Sequence, residues 1–446
     1  MPADTLAAPP PGIGVIARRI SALAGPTFAI AVVQSAGQLI ETVLAARQGT
    51  LALAGWALVL PFALLMQQMS AGAMGGGVVS AIARSLGAGR GQDAAALVLH
   101  AVIIALLFAL GFAVLLAGFP RAVLGAIGGA AAAEAAAGYA IWLFGVGAVA
   151  TWMTNTLASV LRGGGKHGLA ARVTLMAAVA QPPLAWVLME KAGLGLPGLG
   201  MATAASQWAA ALVMIAVVWR GGAGFAPVLR VRPSRALFGR ILAVGAVACT
   251  MAAIANLTTI LVTARVADYG PAAVAAYGIS ARLEFLMVPL AFGVGSALTA
   301  LVGRAVGGGD WATARRTAWV GGGAAFVVCA GFGAAVGLFP GPFARFFTDD
   351  PAVVAIAARA LGYVGPAFGA FGLGMALYFA SMGAGRMLWP AVAGLSRIVL
   401  AVGGGALLAG PLGMGLDGQF LAVAVGITAY GAVVAGAVRP GVWRAR

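Results

Sequence analysis

The sequence predicts an all-α integral membrane protein, with twelve transmembrane helices in two six-helix lobes related by a pseudo-two-fold axis along the membrane normal. Three observations predict it. Of 446 residues, 62% are apolar and only 9% are charged, against roughly a quarter charged in soluble domains; a soluble chain of this size must still cover itself with polar side chains. The apolar residues form continuous runs long enough to cross a bilayer as helices, which takes about 20 residues, without the alternation of barrel strands. Finally, short glycine, proline and basic motifs recur at a constant spacing of 220 positions. The same composition excludes a cytosolic enzyme, a secreted disulfide scaffold and a disordered chain.

The spans predicted, in order, are 17–45, 52–84, 93–117, 132–161, 168–190, 197–219, 238–266, 271–304, 312–338, 352–382, 387–410 and 414–437. Each ends at a Gly/Pro or charged cluster, as helices do. The first run is long and lacks a small-residue cleavage context, so it reads as an uncleaved first helix, which Pro26 is expected to kink. Cys249 and Cys329 sit inside apolar runs and read as small core hydrophobes. The 27 cations outnumber 11 acids, but they stand singly between apolar runs. That is the pattern of topology determinants, not of a nucleic-acid-binding face. With the N-terminus in the cytoplasm, nineteen cations fall inside, Arg446 among them, and six outside, with Arg282 and Arg397 within helices. The positive-inside rule therefore places both termini in the cytoplasm.

The repeat gives the domain organisation. Gly87-Ala88-Gly89 recurs as Gly307-Gly308-Gly309, Phe119-Pro120 as Phe339-Pro340, and Gly163-Gly164-Gly165-Lys166 as Gly383-Ala384-Gly385-Arg386; Gly49 pairs with Gly270 at an offset of 221. An even number of helices per half gives both halves one orientation. Residues 1–219 form the expected N-terminal lobe, 238–446 the C-terminal lobe, and the arginine-rich segment 220–237, with Pro227 and Pro233, the cytoplasmic linker. Two such lobes suit alternating access around a midplane site.

These residues resemble the multidrug and toxic compound extrusion family over nearly the whole chain. The resemblance is carried by Gln34-Ser35 through Ile40-Glu41-Thr42 to Arg47-Gln48-Gly49-Thr50, by Ala83-Arg84-Ser85-Leu86-Gly87, by Leu161-Arg162-Gly163, by Ala276-Tyr277-Gly278-Ile279 into Arg282-Leu283-Glu284, and by Leu301-Val302-Gly303-Arg304. It implies antiport, a drug moving out as Na⁺ or H⁺ moves in. There are departures from the family pattern. The fifth-helix polar pair reads Gln181 and Ala185, the tenth-helix acid reads Phe371, and the seventh-helix core, 246–262, holds no acid. Coupling is therefore expected to rest on the N-terminal half, with H⁺ favoured over Na⁺, which needs several oxygen ligands.

Glu41, at the family's acidic position, is the leading candidate. An acid in hydrocarbon costs several kcal/mol unless it is paired or protonated, which suits a residue that loads a proton from outside and excludes substrate while it holds it. The alternative is a wet glutamate near the outer helix end. Gln38 and Gln34 lie on one helical face with Glu41, and Thr42, Asn155 and Gln181 could complete a hydrogen-bonded pocket or act as interhelical glue worth about 0.6 kcal/mol per contact. Arg282 and Glu284, two apart, do not face each other. Each needs a partner elsewhere, with Arg397 the candidate for Glu284, and a structural ion-pair network is expected. Gln34, Gln68 and Met69 (the last two in the cluster Met66-Gln67-Gln68-Met69), with Tyr277 and Phe285, could line a substrate cavity, flexible thioethers suiting promiscuous binding, with core packing the alternative for the methionines. Trp56 and Tyr139 are expected in the interfacial aromatic belt. Gly321 to Gly323 read as close helix contacts.

No nucleophile–base motif, phosphate loop or metal-ligand spacing is present in the sequence, so a transporter is expected and not an enzyme, with no cofactor beyond the coupling ion. The expected partners are a small amphipathic substrate, of organic-cation or toxic-metabolite type, and membrane lipid, with no nucleic acid, the chain acting as a monomer in a bacterial inner membrane. The competing reading is a flippase for a lipid or lipid-linked saccharide. A major-facilitator transporter is disfavoured by the loop Gly87 to Asp93, and a membrane enzyme or channel by the duplication.

Overall fold

The computed structural model describes residues 11–228 and 230–444; Arg446 of the cation count lies outside them. Every regular element among the described residues is helical. Twelve helices are long and apolar enough to span a membrane: α1 Ile13–Arg47, α2 Thr50–Gly87, α3 Gly91–Ala117, α4 Ala130–Gly163, α5 His167–Lys191, α6 Gly195–Trp219, α7 Arg235–Ala267, α8 Pro271–Gly307, α9 Trp311–Leu338, α10 Pro351–Ala384, α11 Leu388–Ala409 and α12 Gly415–Ala437. Lipid forces this outcome, because a spanning segment without water must satisfy its backbone internally.

The duplication is written in the backbone. Gly49 and Gly270, which precede α2 and α8, have φ of 105° and 95°; Gly89 and Gly309 have 71° and 79°; Gly165 and Gly385 have 84° and 70°. A side chain in this region costs about 1–2 kcal/mol, so glycine marks the same turns in both halves. Phe119-Pro120 and Phe339-Pro340 each open a short helix, Pro120–Gly128 and Pro340–Arg345, with proline in the first turn, where its missing N–H is harmless.

The chain forms two compact units. One is Gly25–Ala253; the other joins the start of α1, as far as Ala24, to Ile254 onward. The first division falls beside Pro26, inside α1, where a proline leaves a backbone carbonyl unpaired and the helix bends easily. The segment 220–237 belongs to the first unit and runs along α3. The Val228 N–H donates to the Ala95 carbonyl at 3.3 Å, and the Ser234 N–H donates to His100 Nε2 at 2.9 Å. Arg240 then pairs with Asp93 at 2.7 Å. His100 is fully buried. Its Nε2 accepts from Ser234, so Nδ1 is the protonated nitrogen that donates to the Ala96 carbonyl at 2.9 Å.

Within the first unit the core is built around Phe108 and Phe144, with Trp152 stacked on Phe108 at 5.1 Å between ring centroids. Helices α2 and α7 touch backbone to backbone: a Cβ on Gly77 would lie within 3 Å of the Gly245 nitrogen and the Ile241 carbonyl. Apolar burial drives little between helices in lipid, so such close packing supplies the cohesion. Four π-helical turns, at Gln68–Met74, Ala113–Ala117, Ile141–Val146 and Val187–Lys191, interrupt this unit's spans.

The second unit has one such turn, Val399–Gly404, and a core around Phe332, Phe368 and Phe420. Its C-terminal segment folds back as the first unit's does. Arg315 donates to the Trp443 carbonyl at 2.8 Å, the Trp319 indole to that of Val438 at 3.2 Å, and Arg386 to that of Arg444 at 2.7 Å. Gly321 and Gly322 meet leucines of this unit as close contacts, but Gly323 faces open space, so the expected glycine contact ends at Gly322.

Candidate functional site

Five helices of the first unit converge on Glu41. It lies in α1, partly buried, one turn from Gly37, which sits against Pro182 of α5. That close approach brings Gln181, next to Pro182, towards the carboxyl, and its side-chain amide and the Trp56 indole of α2 are the two N–H groups that stand beside it. Gln181 Nε2 also donates to Thr203 Oγ1 of α6 at 3.1 Å, and that hydroxyl donates to the Leu199 carbonyl at 3.0 Å, which fixes its orientation. Tyr139 of α4 is close enough for its phenol to feel the Glu41 charge. Pro182 and Pro183 carry no N–H, so the α5 backbone leaves carbonyls unpaired just before Gln181.

This corrects the reading of Trp56 and Tyr139 as belt residues. They are only 7% and 4% exposed and stand inside the unit beside the acid. The Trp56 Nε1 is buried with no hydrogen-bonded acceptor in good geometry, an orphan that a buried donor rarely remains. Thr203 was not among the expected residues; its signal is a hydroxyl among small residues in α6.

The other expected residues divide into those near Glu41 and those elsewhere. Gln34 and Gln38 share α1 with it, partly buried and exposed respectively. The Thr42 hydroxyl bonds back to the Gln38 carbonyl at 2.7 Å within its own helix. Asn155 instead serves a second polar group. Its Nδ2 donates to Gln67 Oε1 at 3.1 Å and to Ser70 Oγ at 2.8 Å, where α2 makes its π turn. Such turns occur frequently at functional sites. Met69, half-buried, packs against the core, and Gln68 is half-buried in the same turn.

In the second unit Glu284 pairs with Arg397. The Arg397 guanidinium lies 5.6 Å from the centre of the Phe371 ring, the position of the family's tenth-helix acid. Tyr277 and Tyr430 stand within electrostatic reach of it, and the Tyr430 hydroxyl donates to Met375 Sδ at 3.6 Å. Tyr277 is buried and Phe285 is 44% exposed. Arg282 does not join the ion pair; it is exposed and has no acidic partner among the described residues. No group of three or more metal-ligating side chains occurs among the described residues.

Comparison with known proteins bears on both halves. The MatE family model matches twice, at residues 26–187 and 248–407. The chain is 29% identical to the "Probable multidrug resistance protein NorM" of Deinococcus radiodurans, with 97% of each chain covered. Among solved structures it superposes on a MATE in the bent conformation with a TM-score of 0.89 at 22% identity, covering 96% of this chain and 97% of that one. It also superposes on a MOP superfamily transporter from Pyrococcus furiosus, described as having a binding pocket of reverse polarity, with a TM-score of 0.88 at 21% identity, covering 97% and 98%.

Proposed function

Because the chain belongs to the MatE family, we propose that it is a secondary antiporter that exports amphipathic organic compounds in exchange for H⁺, with Glu41 as the proton carrier. It acts as a monomer in a bacterial inner membrane with both termini in the cytoplasm. One observation carries the reading: Glu41 is the only membrane-depth acid of the described residues without a cation beside it, Glu284 being neutralised by Arg397.

Gln181 and Trp56 offer N–H groups, which favour a charged carboxylate, while the apolar surroundings favour a neutral carboxylic acid. A carboxyl poised between such tendencies can change state as its access alternates between the two sides of the membrane. Loading from outside returns the proton inward and leaves Glu41 neutral; release restores the anion that attracts a cationic or polar substrate group. Gln181 stands beside Glu41 and donates to Thr203 of α6, which gives a change at the carboxyl a route to α6. Na⁺ is the weaker coupling ion, because position 185 is alanine and supplies no side-chain oxygen.

The test is dye accumulation in inverted membrane vesicles under an imposed pH gradient or an imposed Na⁺ gradient. The wild type is expected to respond to the pH gradient, and Glu41→Gln to lose that response while still reaching the membrane. Unchanged export by Glu41→Gln overturns the role of Glu41. A response to Na⁺ alone overturns the choice of ion.

A further inference from the structure

Arg282 and Arg397 both lie well inside spans of the second unit, and the fold treats them in opposite ways. Arg397 is enclosed by Glu284 and Phe371. Arg282 is exposed and makes no ion pair among the described residues.

Its depth follows from the ion pair. Arg397 is the tenth residue of the 22-residue helix Leu388–Ala409, about 14 Å from one end and about 18 Å from the other at 1.5 Å per residue. Glu284 is bonded to it and so lies near the middle of the span. Arg282 is two residues away on the same helix, about 3 Å along the axis and on nearly the opposite face. It is therefore close to mid-span, where snorkelling, the relief open to cations near helix ends, is least effective. An unpaired arginine at the centre of a span is costly even on the mildest scale. A purely structural arginine would be expected to be closed off as Arg397 is.

The neighbours of Arg282 describe what it can hold. One turn before it is Gly278, where a Cβ would meet no atom within 4 Å. One turn after it are Phe285 and Leu286, 44% and 52% exposed. A cation with open space on one side and an aromatic–aliphatic surface on the other matches an amphipathic molecule with an anionic end.

We infer that Arg282 is a docking point for the carboxylate or phosphate of an amphipathic ligand, whose apolar part lies on Phe285 and Leu286. The inference deepens the transport reading and rests on it: the exported class includes compounds that carry an anionic group, zwitterions among them. The same chemistry is offered by the phosphate of a membrane lipid, so the source has to be separated by experiment.

Equilibrium binding does this without requiring transport. Purified full-length protein is titrated with a carboxyl-bearing rhodamine and with its methyl ester, for the wild type, Arg282→Gln and Arg282→Lys. Loss of a charge-assisted contact is expected to weaken binding of the carboxylate dye about tenfold in Arg282→Gln, with partial rescue by lysine and the ester changed less than about twofold. In a second arm, thermal stability is compared in phosphatidylcholine vesicles with and without phosphatidylglycerol. If the stabilisation by the anionic lipid disappears only in Arg282→Gln, the anion is the lipid's. Equal weakening of both dyes, or no effect on either dye together with an unchanged lipid response, overturns the inference. Export by Glu41→Gln tests the transport reading separately, so either can fail alone.

Discussion

In the Gly25–Ala253 unit the membrane-depth acid meets only neutral groups: a glutamine amide, an indole and a phenol. In the other unit the acid within a span is bound to a guanidinium that is backed by an aromatic ring. Both units share one six-helix pattern, as their matching turn glycines record, yet in one the carboxyl has no cation beside it and in the other the carboxyl is locked in an ion pair. The difference teaches how a duplicated transporter divides labour. An unpaired acid in a span is expensive to keep, whereas a paired charge fixes helices in place.

The largest expected effect breaks the locked side. Arg397→Ala strands Glu284 and leaves the Phe371 ring without its cation, and removing one partner of a buried pair typically costs about 3–5 kcal/mol. Thermal unfolding of the purified protein is expected to show that loss, while the double variant Glu284→Gln/Arg397→Met regains most of it. The double variant is also expected to keep pH-driven export. If it folds but exports nothing, the second unit shares in coupling and the contrast fails. Glu41→Gln is expected to behave in the reverse way, losing export with little change in stability.

A smaller effect is expected from Gln181→Leu. It leaves the Thr203 hydroxyl oxygen without its donor and Glu41 without one of two, and a buried group deprived of its partner costs about 1–3 kcal/mol. Transport should fall with stability here, because this amide serves both. A loss of stability with transport untouched would make Gln181 a tie between α5 and α6 and nothing more.

How much of this was legible follows from range. The twelve spans were legible because hydrocarbon demands long apolar runs, and the repeat because positive-φ turns demand glycine at fixed places. The acid and its α5 partner were legible through the family pattern. What escaped depends on which way a helix face turns. Trp56 and Tyr139 are the residue types found both in the belt and in the interior, and periodicity does not separate the two. The bonds of Asn155 to Gln67 and Ser70 span 88 and 85 positions and depend on a π turn that no propensity marks. Nothing in the apolar pattern sets off Ala253 from Ile254, where the unit division crosses α7. The open side of Arg282 was equally hidden. Its spacing from Glu284 showed only that the two face apart.

At the helix ends opposite the docked chain segments the units should converge. Among the cross-helix ion pairs there, the first unit has Arg47 with Glu190 at 3.1 Å and the second Arg359 with Asp417 at 3.2 Å, with arginine side chains 62% and 53% exposed. Water screens both, and such pairs contribute about 0–1 kcal/mol. Glu190 keeps a second donor, the Trp186 indole at 3.0 Å, so Arg47→Ala should be nearly silent. Asp417 has its other oxygen buried without a donor, so its carboxylate depends more on Arg359. Unfolding midpoints should therefore rank Arg359→Ala below Arg47→Ala, both close to wild type, with the gap narrowing in high salt. A large loss in either variant would show that charge in that unit does structural duty at the rim as well as at mid-span, and the division of labour would then have to be drawn by depth instead of by lobe.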